Sequence, residues 1–286
     1  MSIYASTTYF GDGSQINDAL QDLKKIGIRK IELGSNHKKS KEKINLEKSN
    51  EFIIHNYFPP QEEDFILNIA SSSPMIRNRS IDFIKNTIKW GSKKGIGYYT
   101  IHPGFLAEPV AQLGQRGKNR NFDLKFSRQR RKDRKKVIEE AMKVIKNLYQ
   151  FSNNKIQLLI ENQGSKTSKN VTIVDSIEEL QILNKFVGPH LKFNFNLAHA
   201  TLSGIDLEKK EVLRFIFKHS LFFEISEIKG IYDSHLAVFP KRGIIGNLLS
   251  IHKTSFKKRN LILEFRNTKT EELKASFDAV SKLYGL

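Results

Sequence analysis

The sequence predicts a single (β/α)8 TIM barrel over residues 1–286, and three observations carry that prediction. Short β-rich runs recur eight times along the chain. Segments with apolar residues at helical spacing lie between most of them. The chain is 286 residues long, enough for one large α/β domain to bury its own core.

The strand candidates are 3–7, 28–33, 52–55, 97–102, 156–161, 191–196, 221–226 and 261–264. Each is a short apolar run of the kind that fills a buried parallel sheet. The helix candidates alternate with them. Residues 15–25 put Ile16, Ala19, Leu20 and Leu23 on one face, and 80–93 do the same with Ile81, Ile84, Ile88 and Trp90. Residues 132–149 turn Val137, Ile138, Ala141, Val144, Ile145 and Leu148 inward. Segments 176–185, 207–218 and 270–283 complete the pattern, with a shorter helix at 243–252. A doubly wound open sheet is the alternative, but it usually carries a glycine-rich phosphate turn after its first strand. Here Gly11-Asp12-Gly13 lacks the third glycine and reads as a plain turn with Ser14 as helix N-cap.

Composition excludes several classes. With no cysteine, the chain is neither a disulfide scaffold nor a thiolate-ligated zinc or iron–sulfur protein. No apolar stretch approaches the roughly 18 residues of a membrane span. The first residues have neither the basic nor the apolar region of a secretion signal, so the expected location is cytoplasmic. Lys and Arg number 48 against 30 Asp and Glu, a net of +18. Half of that excess lies in 116–136, which holds eleven Lys/Arg and two Asp. Such a segment attracts phosphate or nucleic acid, or is simply a solvated face.

The strand ends carry the functional argument. Reading along the chain they supply Glu32, His55, His102, Glu161, Asn196, Glu224 and Glu264. In a barrel these ends meet at one mouth, where such enzymes keep their chemistry. So many ligand-type groups would repel one another without a cation, which points to a divalent metal centre. His199 follows three residues after the sixth strand, and Asp233 and His235 share one side of an extended segment after the seventh. His37, His190, His219 and His252 fall outside this pattern and read as surface or core residues.

These residues resemble a known group. Phe52-Ile53-Ile54-His55, Ile101-His102-Pro103-Gly104, Leu159-Ile160-Glu161-Asn162, Phe195-Asn196-Leu197-Ala198-His199, Asp233-Ser234-His235 and Leu263-Glu264 occur in the order of the xylose-isomerase-like TIM barrels. That superfamily holds sugar and sugar-phosphate isomerases and epimerases, inosose dehydratases, and apurinic-site nucleases of the endonuclease IV type. The resemblance implies a common metal core at Glu161, Asn196, Glu224 and Glu264. It places the extra ligands of the nuclease type at His55, His102, His199, Asp233 and His235. Two positions depart from the pattern: Asn196 stands where the family usually has Asp, and Glu224 where it usually has His. The change leaves a harder, oxygen-rich core that suits Mg²⁺ or Mn²⁺ better than Zn²⁺.

The resemblance implies three readings. The first is a metal-dependent sugar or sugar-phosphate isomerase/epimerase working through an enediolate. Glu161 and Glu264 would exchange protons with carbon, and His199 and Glu32 would orient hydroxyls. His55 and His102 would line the substrate, and Arg116, Lys118 and Arg120 would bind its phosphate. The second is an apurinic-site endonuclease, whose nucleic-acid partner the net charge suits. The third is a barrel that binds without turnover. A homodimer is the base-rate expectation for any of them.

Overall fold

The computed structural model describes residues 1–286 except 12, 36, 63–64, 111–124, 131–132, 165 and 167–170. In chain order the strands are β1 (Ile3–Ser6), β2 (Lys30–Leu33), β3 (Glu51–His55), β4 (Tyr98–Ile101), β5 (Ala107–Val110), β6 (Lys125–Arg130), β7 (Gln157–Glu161), β8 (Lys192–Asn196), β9 (Ser220–Ile225), β10 (Glu227–Lys229), β11 (Tyr232–Leu236) and β12 (Asn260–Leu263). The helices are α1 (Ile16–Lys25), α2 (Pro74–Lys93), α3 (Arg134–Ser152), α4 (Ile177–Val187), α5 (Leu197–Ser203), α6 (Lys210–His219), α7 (Gly243–Ile251), α8 (Lys253–Phe256) and α9 (Thr270–Tyr284).

Eight strands close a parallel barrel in the order β1-β12-β9-β8-β7-β4-β3-β2. Each predicted run supplies one of them. Two antiparallel hairpins outside the barrel, β5/β6 and β10/β11, were not foreseen as hairpins.

Strand periodicity builds the interior. Tyr4, Ile53, Leu159, Phe222 and Ile262 form a small apolar cluster of their own, separate from the large core under the helices. Two residues further along the same strands stand Ser6, His55, Glu161, Glu224 and Glu264, all buried. The alternation of side chains along a strand therefore lays a polar tier directly above an apolar floor. Between the tiers, Asn194 Nδ2 donates to Thr100 Oγ1 at 3.3 Å.

Local chemistry moves several boundaries. Helix α2 begins at Pro74 rather than 80, because the Ser73 side chain accepts from Ile76 N and proline suits the first helical turn. Ser14 is not the N-cap of α1. Gln15 holds that place, and Ser14 Oγ donates to Gly11 O at 2.8 Å instead. Helix α6 starts at Lys210, three residues later than the apolar spacing suggests. Helix α5 was not anticipated.

One polar knot ties the outer layer together. Arg134, at the start of α3, donates to Glu179 Oε1 (2.8 Å), Asp175 Oδ1 (2.6 Å) and Thr172 O (2.6 Å). Its side chain is 32% exposed, so the knot lies between the surface and buried regimes. Arg134→Ala is expected to cost about 2 kcal/mol, with Arg134→Lys recovering only part, because lysine cannot make the forked contact. Urea denaturation midpoints measure this, and an unchanged midpoint for Arg134→Ala would contradict it.

Candidate metal centre

The polar tier opens at the C-terminal rim of the barrel. His55, Glu161 and Asn196 end β3, β7 and β8; Glu32 and Glu224 are the penultimate residues of β2 and β9. His102 and Glu264 sit one residue beyond β4 and β12. Asp233 and His235 come from β11, and His199 from the first turn of α5. Four imidazoles form a row, His55, His102, His199 and His235, with centroids 5.5, 6.4 and 6.4 Å apart.

Two triads share this row. In one, Glu161 Oε2 lies 2.8 Å from His55 Nε2 and 3.0 Å from His102 Nε2. In the other, Asp233 Oδ2 lies 3.1 Å from His199 Nε2 and 2.9 Å from His235 Nε2. Within each triad the ligand atoms all fall within 4.8 Å of one another. Backbone carbonyls set which ring nitrogen faces the triad. His199 Nδ1 donates to Asn162 O at 2.9 Å, and His235 Nδ1 to Glu264 O at 3.2 Å, leaving both Nε2 atoms turned toward Asp233. Glu161 joins the two triads, since its Oε1 is 3.0 Å from His199 Nδ1.

Asn196 stands between them. Its Oδ1 accepts from His199 N at 3.0 Å and so caps α5. Its Nδ2 is then committed to the carboxylates, donating to Glu161 Oε1 and Glu224 Oε2, each at 3.1 Å. The side chain expected as a metal ligand thus presents a donor to the site rather than a lone pair. Asn162, which the sequence reading left without a role, holds Asn196 in place. Its Oδ1 accepts from Asn196 N (2.7 Å) and its Nδ2 donates to Asn196 O (2.9 Å). Gly164 also went unnoticed. A Cβ there would lie 2.0 Å from His199 O, so only glycine lets the loop after β7 approach α5 this closely.

Burial and charge set the protonation states. Burial would raise the Asp233 carboxyl, but the His235 and His199 imidazoles outweigh it and hold it well below the usual range. Burial likewise opposes ionisation of Glu161, yet His102, His199 and His55 hold it well below its ordinary value. Burial would lower His55, but Glu32 and Glu161 raise it to about 9; His235 is raised against burial to about 9 by Asp233 and Glu264. His199 is raised by Asp233 and Glu161, again against burial. Burial dominates at Glu32, pushed up to about 7, and at Glu224, pushed well above its ordinary value, whereas at Glu264 the His235 and His55 imidazoles outweigh burial and lower the carboxyl.

These donors fit divalent cations. Once their imidazoles give up their protons to an incoming ion, each triad offers two neutral imidazoles and one carboxylate, a set common to zinc and manganese sites. Substrate-lining roles expected for Glu32, His55 and His102 therefore compete with ligand roles in this geometry. Arg116, Lys118 and Arg120 lie outside the described residues.

The comparisons with known proteins agree in fold. A D-tagatose 3-epimerase-like protein superposes with a TM-score of 0.70 at 14% identity, covering 100% of this chain and 97% of the other. Endonuclease IV from Thermus thermophilus does so with a TM-score of 0.62 at 12% identity, covering 100% and 99%. The IOLI protein, solved with a zinc atom, gives 0.66 at 13% identity, covering 100% and 98%. The fold is the (β/α)8 barrel that these structures share. In sequence, a probable endonuclease 4 from Petrotoga mobilis is 27% identical over 171 residues, 59% of this chain and 51% of that protein. The chain thus matches about half the length of that curated relative. No family model matches the chain. Among the described residues, no helix is long and apolar enough to cross a membrane.

Proposed function

We propose that the chain is a divalent-metal-dependent phosphodiesterase that cuts DNA at abasic sites. One observation carries this reading: two complete imidazole–carboxylate triads stand side by side, coupled through Glu161. Five of their six ligands, all but Glu161 of the common core, are positions that the nuclease resemblance adds to the sugar-type core. That core is itself altered, because Asn196 turns its amide toward Glu161 and Glu224. The charge of +18 suits a phosphodiester polyanion, whose binding is then salt-dependent.

His55, His102 and Glu161 would hold one ion, and His199, Asp233 and His235 another. Such ions, when bound, supply an activated water and stabilise charge on the leaving oxygen. The chain's own contribution is orientation. The Asn162 and Glu264 carbonyls fix the His199 and His235 rings, and the tight contact at Gly164 fixes α5. The test is incision of a duplex carrying one abasic site, with Mn²⁺ or Zn²⁺ present. Incision should occur, stop with a chelator and weaken as salt rises. No cleavage at micromolar protein would overturn the reading.

A second reading, a sugar isomerase or epimerase, rests on Glu161 and Glu264, which flank the His55 ring at 2.8 and 3.7 Å. Two carboxylates beside one pocket could exchange protons with a carbon next to a carbonyl. Exchange of a substrate C–H with solvent deuterium in D-tagatose or D-psicose, lost in Glu264→Gln, would favour it over the nuclease.

A further inference from the structure

The hairpin β10/β11 carries Asp233 and His235 to the second triad, and a contact well outside the triad holds that hairpin. Glu227, the first residue of β10, pairs with Leu236, the residue after His235. Its carboxylate reaches across to the start of α7. Oε1 accepts from Ile244 N at 2.9 Å, and Oε2 accepts from Ile245 N at 3.1 Å and Gly246 N at 3.3 Å. Helix α7 has no cap of its own. Arg242, at its N-cap, makes no side-chain cap bond, and the first turn holds no acidic residue. Glu227 therefore supplies, from another element, both the acceptors and the negative charge that a helix start favours. Gly243 leaves room for it, since a Cβ there would lie 2.2 Å from Glu227 Oε2. Across the hairpin, His235 has φ +45°, and its carbonyl accepts from Arg266 N at 3.0 Å. A residue keeps such a conformation only where its surroundings over-determine it.

We infer that Glu227 is a positioning residue for the second triad: by pinning β10 to α7 it fixes the rung of the hairpin from which Asp233 and His235 are presented. It touches none of the triad side chains, and its effect is selective. The other triad, His55, His102 and Glu161, comes from the ends of β3, β4 and β7 and takes no residue from the hairpin. Losing the Glu227 contact should therefore weaken one ion and spare the other. Glutamine at 227 keeps the length of the side chain but turns one acceptor into a donor, facing backbone groups that are donors themselves. The inference rests on the proposed ion at the second triad; it does not require that the substrate be DNA.

The test uses Zn²⁺ alone as the probe, titrated calorimetrically into chelated protein, with thermal melting of each variant alongside. His102→Ala leaves only the second triad intact, and His235→Ala only the first. Added to His102→Ala, Glu227→Gln should weaken Zn²⁺ binding by at least about tenfold. Added to His235→Ala, it should leave the affinity unchanged. Gly243→Ala should reproduce the first result, because its methyl group enters the seat of the carboxylate. Arg134→Ala, which loses stability without touching the hairpin, should leave Zn²⁺ binding unchanged in both backgrounds. Unchanged affinity on adding Glu227→Gln to His102→Ala overturns the inference. Equal weakening at the two triads does so too, as does a matching loss in Arg134→Ala, since either marks a general loss of stability. Should Glu227→Gln fail to fold, Gly243→Ala carries the same comparison. If His102→Ala alone takes up no Zn²⁺, this inference and the two-ion reading fall together. If the selective loss is found and the wild type never incises an abasic duplex, the nuclease reading is removed and the role of Glu227 stands.

Discussion

Replacing Asp233 by asparagine is expected to weaken ion binding at its triad, and abasic-site incision with it, by at least about a hundredfold. The carboxylate receives both His199 Nε2 and His235 Nε2 on a single oxygen, at 3.1 and 2.9 Å. Its other oxygen, Oδ1, is buried and unpartnered, which leaves it available to an ion. Changes one shell out from a metal typically cost ten- to a hundredfold, so loss of a ligand should exceed that. Asparagine keeps the shape and removes the charge. It should also let His235 titrate well below its present value of about 9, because Asp233 is the chief group holding it up. Zinc titration calorimetry, incision rates and histidine NMR read these effects separately. A variant that binds Zn²⁺ like wild type would refute the assignment.

The second large effect concerns ion-free protein and pH. His55 and His235 are each raised from 6.5 to about 9 in the fold. For a base raised in this way, the stabilisation is complete below about pH 6.5 and is lost as pH climbs through about 9. Glu32 is raised from 4.5 to about 7, mainly by burial. The folded chain therefore holds that proton more tightly than the unfolded chain, and stability falls as pH rises from about 4.5 to 7. The depressed carboxyls Asp233, Glu161 and Glu264 act only below that window, losing their contribution as pH drops. The groups of the polar tier that titrate between pH 5 and 9 thus push the same way, while His37, lowered by burial to about 4, opposes them only up to about pH 6.5. Chelated protein should therefore lose melting temperature most steeply between about pH 6.5 and 9. Any one group contributes up to about 3 kcal/mol, and the coupled groups do not simply add. Divalent ions displace these protons and bind more tightly as pH rises, so they should flatten or reverse the trend. Calorimetric melting at pH 5, 7 and 9, with chelator and then with Mn²⁺, checks this. A melting temperature that rises with pH in chelator would contradict it.

Much of this was readable from residue types, and the rest depended on which atom each side chain turns. All eight strands followed from short apolar runs, because both faces of a parallel barrel strand are covered and the signal is strong. The polar strand ends followed as well, since a carboxylate or imidazole closing an apolar run is out of place unless something uses it. The role of Asn196 did not follow. Its place in the pattern marks it as a ligand, but its Oδ1 is committed to capping α5, a helix that the chain's apolar spacing does not announce. Glu32 was expected to orient a hydroxyl; only the geometry shows both its oxygens buried, with Oε2 3.7 Å from His55 Nδ1. Gly164 could not have been singled out among 17 glycines, because what it avoids is an atom 35 residues away in sequence. The predicted phosphate-binding basic residues Arg116, Lys118 and Arg120 fall outside the described residues.

The close approach at Gly164 has a kinetic meaning as well. A helix whose first turn rests against another backbone has no slack in that direction, so His199 is denied one whole direction of travel without any bond having to restrain it. Loading an ion beside it then demands little rearrangement of the protein. Capture should be governed by how fast protons leave the imidazoles, and the rate of uptake should follow the acidity of the medium more closely than its viscosity.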